Sequence, residues 1–97
     1  MITIISRHYC KEENLEVSKA LLNTAGLAQS KFKGYISRET LQSQENSLEL
    51  VTLTTWESIA HQQEWFKSEE RQQATAASKT GTFWAKPPEQ EFLDILN

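Results

Sequence analysis

Apolar and polar positions alternate with a period of two at the start of the chain and then switch to a period near 3.6. Ile2 to Tyr9 reads as a first strand, with Ile2 and Ile4 on one face and Thr3 and Ile5 on the other. Leu15, Ser18, Leu21, Leu22 and Ala25 fall on one side of a helix. Asn14 or a neighbour caps its start, and Gly26 is positioned to end it. Leu27 to Lys33 reads as a loop or a short irregular helix. Gly34 to Gln42 is a second strand, in which Tyr35 and Ser37 share one face and Ile36 and Arg38 the other. Ser43 to Ser47 is a turn, and Leu48 to Thr55 a third strand that pairs back as a hairpin. Thr54-Thr55-Trp56-Glu57 fits the S/T-x-x-E capping box, so a helix is expected to begin there. Its inner stripe would be Trp56, Ile59, Ala60, Gln63 and Phe66. Trp65 breaks that stripe, roughly 180° round the helix from Trp56. A large aromatic there implies a second environment: a pocket, a partner chain or a bend. Ser68 caps a further helical piece from Glu69 to about Ser78, with Lys67-Ser68 as the bend and Gly81 as the end. Thr82 to Ala85 is extended, Pro87-Pro88 forbids regular structure, and Glu91 to Leu96 is the last strand.

The order β-α-β-β-α-β predicts a ferredoxin-like α+β fold. Two helices would cover one face of an antiparallel four-stranded sheet, with residues 1–97 as a single domain. Ile5, Val51 and Leu53 put large aliphatics on the other face as well. An uncovered apolar face is a liability, and a twofold homodimer, sheet to sheet, is the economical remedy.

Composition narrows the function. The chain has 97 residues, a formal charge of −3 and no basic run. Nucleic acid is therefore not an expected partner, and there is no polybasic membrane anchor. The N-terminus is too short and polar for a signal peptide, and no apolar run is long enough to span a membrane. Cys10 is the sole cysteine, which fits a reducing cytoplasm. With only three glycines there is no phosphate-cradling loop, and the fold order is not that of a Rossmann domain. His8 and His61 lack metal-ligand spacing, so neither an organic cofactor nor a metal is expected. His8 is the best-placed proton acceptor near the first strand, and the reading of His61 is a solvated helix residue. Arg38, on an apolar strand face, needs a partner in a pocket or across a dimer. Phe83 and Trp84, beside the two prolines, read as an aromatic clasp.

Three segments carry a family resemblance: Gly34-Tyr35-Ile36-Ser37-Arg38-Glu39, then Glu49 through Ser58, then Glu64-Trp65-Phe66-Lys67-Ser68-Glu69-Glu70-Arg71. In order and spacing they resemble the antibiotic biosynthesis monooxygenase (ABM) family, over about Ile2 to Ile95. The resemblance implies a dimeric α/β barrel, each subunit holding a small-molecule pocket between helices and sheet. One branch of that family oxidises polycyclic phenols or quinols with molecular oxygen and no cofactor. Another degrades haem, using an Asn on the first strand, a Trp on the second helix and an iron-ligating His about ten residues after it. Here the Trp is Trp65, while the Asn position falls on Ser6 and the His position on Thr75. A hydroxyl cannot replace imidazole on iron. The expectation is thus a cofactor-independent monooxygenase for a small, flat aromatic substrate. Ser6, Tyr35, Trp65 and Thr75 would line its pocket, with His8 and Trp65 as catalytic candidates. The alternatives are a non-catalytic small-molecule-binding or sensing module and, more remotely, a haem-degrading enzyme.

Overall fold

A computed structural model describes residues 1–97. β1 (Ile2–Cys10) leads through a short 3-10 turn into α1 (Leu15–Gln29). β2 (Tyr35–Gln42) and β3 (Glu49–Trp56) follow, then α2 (Ile59–Lys67), α3 (Glu69–Ala74), a second 3-10 turn and β4 (Trp84–Asp94). The strands lie in the order β2-β3-β1-β4 and every neighbouring pair is antiparallel. This is the ferredoxin-like arrangement that the alternating pattern predicts.

The helices cover the face that carries Ile4, Ser6 and Cys10 of β1 and Leu50, Thr52, Thr54 and Trp56 of β3, all buried. The apolar core is in two parts. Cys10, Leu21, Leu22, Leu50 and Phe83 form one, and Ile4, Trp56 and Trp65 the other. Ser6 and Thr52 are directly opposed between the two clusters, so the middle of the inner face is polar. The opposite face of the sheet has no helix on it. Leu41 and Leu93 remain 43% and 40% exposed there, beside half-buried Ile5, Val51 and Leu53.

The structure corrects the expected helix boundaries, each for a local reason. Gly26 does not end α1. A β-carbon at Gly26 would lie 2.7 Å from Arg38 Nε, so its bare backbone serves as a passage for Arg38. The helix continues to Gln29 and closes at Ser30, whose hydroxyl donates to the Leu27 carbonyl at 2.7 Å. α2 does not start at the Thr54–Glu57 capping box. Trp56 completes β3, opposite Ile2 and Tyr35, and Ser58 is the cap, accepting from His61 N at 3.3 Å. That start changes the buried face. Gln62 and Trp65 point inward, while Ile59 and Phe66 are 42% and 45% exposed. Trp65, the residue out of phase with the expected stripe, is the helix's core residue. The bend at Lys67-Ser68 is present, and Ser68 caps α3 by accepting from Arg71 N at 3.1 Å.

Two further differences lie in the strands. Register slips between Tyr35 and Ser37, so Tyr35 opposes Trp56 and Arg38 opposes Thr54. The bulge at Ile36 therefore puts Tyr35 and Arg38 on the same inner face, which strict alternation forbids. β4 runs through Pro87 and Pro88. It is an edge strand with β1 as its only neighbour, and the pairing is irregular between Arg7 and Tyr9, where neither proline has a paired residue. Prolines are tolerated at such positions because no ladder hydrogen bond is lost.

His61 is not solvated as expected. It is half-buried, its Nδ1 is 2.8 Å from Ser58 Oγ, and its ring lies against Gly34. Gly34 has φ +89° and its carbonyl accepts from Glu57 N at 2.9 Å. A β-carbon there would be strained by φ and would overlap the His61 side chain. Gly34→Ala is expected to destabilise the domain by roughly 1–3 kcal/mol. Urea denaturation reads it directly, and an unchanged midpoint would contradict the close packing of Gly34 on His61.

Candidate active site

The polar middle of the inner face opens into a cavity of about 90 Å³. Its floor is Ser6 and His8 of β1 with Thr52 and Thr54 of β3. Gln62 and Trp65 of α2 stand opposite, with Arg71 of α3 and Thr75 just after it. Gln29 of α1 and Arg38 of β2 close one end. A second hollow of about 290 Å³ shares Ser6, His8, Arg71 and Thr75 with it and reaches Trp84 and Pro88 towards solvent. The two hollows together, not the smaller one alone, have room for one or two aromatic rings.

Local sequence explains how each group is held. The Ser6 hydroxyl is bonded by the Gln90 amide at 3.3 Å, which ties β1 to β4 across the floor. Thr75 caps the end of α3, and its hydroxyl donates to the Arg71 carbonyl at 2.8 Å. Trp65 is 5% exposed and meets the Phe32 ring edge-on at 5.5 Å. Arg38 reaches under α1, donating to Gln29 Oε1 and to the Leu22 carbonyl, both at 2.9 Å. Arg71 lies over the Phe66 ring, 4.1 Å from its centre, a cation–π contact.

The electrostatics are one-sided. No Asp or Glu lines either hollow, and the ion pairs of the molecule use Arg7, Lys19 and Lys67, not Arg38 or Arg71. Burial holds both guanidinium groups below their usual pKa. His8 is lowered to about 4, chiefly by burial, partly offset by the Leu50 backbone and reinforced by Arg38 and Arg71. Its ring lies 5.0 Å from Trp84, and Nδ1 is buried without a hydrogen-bond partner. His8 is therefore a neutral imidazole at pH 7.

Four of the five residues singled out in the sequence, Ser6, His8, Trp65 and Thr75, surround this one cavity. Tyr35 does not. It stands edge-on to Trp56 at 6.1 Å and borders a separate hollow between α1 and β2. The sequence reading missed Gln29, Gln62, Gln90 and Arg71. Their types carry no motif. The Gln62/Trp65 spacing of three would have been the clue, had the helix start been placed at Ser58. Phe83 and Trp84 pack edge-on at 4.8 Å, with Phe83 in the core. No three His, Cys, Asp or Glu side chains come together as a metal site, and no helix is long and apolar enough to cross a membrane.

The chain thus presents a ferredoxin-like sheet with a small cavity under its helices. The sequence model of the antibiotic biosynthesis monooxygenase family matches residues 1–77, and the chain belongs to that family. Its fold is shared with solved structures at low identity. A crystal structure of an antibiotic biosynthesis monooxygenase superposes with a TM-score of 0.86 at 11% identity, covering 100% of both chains. Rv0793 from Mycobacterium tuberculosis gives 0.86 at 19% identity, covering 99% of this chain and 95% of its own. SnoaB, a cofactor-independent oxygenase from Streptomyces nogalater, gives 0.84 at 8% identity, covering 99% and 93%. No curated protein sequence matches the chain significantly.

Proposed function

We propose that the domain is a cofactor-independent monooxygenase for a small, flat phenol or quinol. The observation that carries this is the cavity itself, with Trp65 and Phe66 in its lining and hydroxyls and a neutral imidazole on its floor. An aromatic lining suits a planar ring, and the hydroxyls can hold its oxygen. Family membership and the cofactor-independent activity named for SnoaB support the same reading.

The chemistry balances without an added reductant. A phenol with a free para C–H loses its hydroxyl proton, and the anion gives one electron to dioxygen. The resulting radical pair joins as a C–O bond to form a hydroperoxide, which eliminates water and leaves a quinone. One oxygen atom enters the product and the other leaves as water. The chain's part is to hold the ring, exclude bulk water and favour the anion. His8 is in the form that accepts a proton, but with its pKa near 4 it is a weak base. Transfer from a phenol of pKa about 10 to His8 is uphill by on the order of 8 kcal/mol. That weakness favours a second reading, a binding or sensing module that holds the same ligand without turning it over.

Oxygen uptake with a panel of quinols and phenols, run beside tryptophan quenching, separates the two. Uptake that is saturable in substrate, with quinone and water as products, is expected of the enzyme. Quenching without uptake would leave only the binding module, and absence of both would end the proposal. We also propose that two copies associate through the helix-free sheet face, where Leu41 and Leu93 lie exposed beside Ile5, Val51 and Leu53. A monomer by light scattering at micromolar concentration would refute this.

A further inference from the structure

We infer that the cavity selects a ligand that already carries a negative charge, an aromatic ring bearing a carboxylate, with Arg38 and Arg71 as its counter-cations. This rests on the reading of the cavity as a ligand site and adds the substrate's charge.

The charges lining the cavity are out of balance. Two guanidinium groups line one cavity, no carboxylate lines it, and neither group is in an ion pair. Arg38 and Arg71 are half-buried, and a cation partly withdrawn from water is stabilised by a carboxylate beside it. Here the partners are neutral. Arg38 is held by an amide oxygen and a backbone carbonyl, which use two of its five N–H donors. Arg71 rests on the Phe66 ring, with one long contact to the Phe66 carbonyl at 3.5 Å. Both groups thus retain donors and an uncompensated charge. The sequence also keeps Arg38 inside by specific means. The Ile36 bulge turns it inward, and bare Gly26 leaves room for it. A residue serving only to cover surface would need neither.

The remaining lining groups fit the same ligand. His8 Nδ1 is buried, unpaired and on the cavity floor. Trp65, Leu22 and Phe66 make part of the lining apolar, so a bare inorganic anion would leave that part of the site unused. A neutral quinol would fill the same space and leave both cations uncompensated until it ionises, whereas a carboxylate is charged on arrival. Only a ring with an ionised group satisfies both halves, and a carboxylate matches guanidinium geometry.

The test pairs gentisate and a hydroxynaphthoate each with its own methyl ester, titrated against the full chain by tryptophan fluorescence. The acid is expected to bind at least about tenfold more tightly than its ester, the scale of one hydrogen bond to a charged group. Raising salt should narrow the gap. Arg71→Gln should weaken the acid more than the ester and bring the two to within about twofold. Arg38→Lys, which keeps the charge, should retain more of the preference than Arg38→Gln. Because Arg38 also straps α1 to β2, Arg71→Gln remains decisive if the Arg38 variants fail to fold. Equal binding of acid and ester by the unaltered chain overturns this inference and leaves the pocket reading intact. Failure of every probe to bind overturns both. Displacement of gentisate by inorganic phosphate at equal concentration overturns the aromatic half.

Discussion

Trp65→Ala is expected to cost about 3–5 kcal/mol of stability and to remove most ligand affinity. The indole is 5% exposed, packs with Ile4 and Trp56, and meets Phe32 edge-on. It also walls the cavity, so the space left by its removal joins an existing hollow instead of collapsing. A domain of this size has of order 5–15 kcal/mol in total, so the variant would stand near its unfolding threshold. Urea denaturation measures the first effect. Fluorescence still reports the second, because Trp56 and Trp84 also border the two connected hollows. Trp65→Phe keeps an aromatic core and should recover most of the stability but less of the affinity. Equal recovery of both would show that Trp65 acts through packing alone.

Acid should weaken the fold through His8. Its folded pKa is about 4 against an ordinary value of 6.5, so the unfolded chain binds a proton in this window and the folded chain does not. Stability is therefore full above pH 6.5 and falls as pH drops towards 4, by up to about 3 kcal/mol from this group. The charged groups that reinforce the effect are Arg38 on β2 and Arg71 on α3, both repelling the imidazolium. His8→Gln should flatten this part of the pH profile. Comparing the two proteins at pH 7, 5.5 and 4 isolates the term, since carboxylate titrations are common to both. Identical slopes would mean that His8 is hydrated in the folded chain.

Element order was legible because it depends on periods of two and 3.6, which local sequence sets. What escaped were features that depend on contacts between distant residues. Gly26 has the form of a helix terminator, yet its role is the approach of Arg38 from another strand. The Thr54–Glu57 capping box is a valid local signal, but Trp56 is held in β3 by Ile2 and Tyr35 on either side. Moving the cap four residues, from Thr54 to Ser58, changed the buried face from Ile59 and Phe66 to Gln62 and Trp65. The bulge at Ile36 leaves no trace in a strand pattern, yet it decides that Tyr35 and Arg38 share a face. For the site, the resemblance indicated Ser6, Trp65 and Thr75, whereas the glutamines and Arg71 became visible only when the helices were laid on the sheet.

The irregularities of β2 and β4 have a consequence for how chains meet in concentrated solution. These are the two edges of the sheet. One is interrupted by the bulge at Ile36, the other by Pro87 and Pro88, which present no N–H. Edge-to-edge addition of another strand, the route to open-ended fibrils, is blunted at both ends. The helix-free face proposed above as the contact between two copies is not blunted in this way, and a face-to-face contact would be used up once two copies had met.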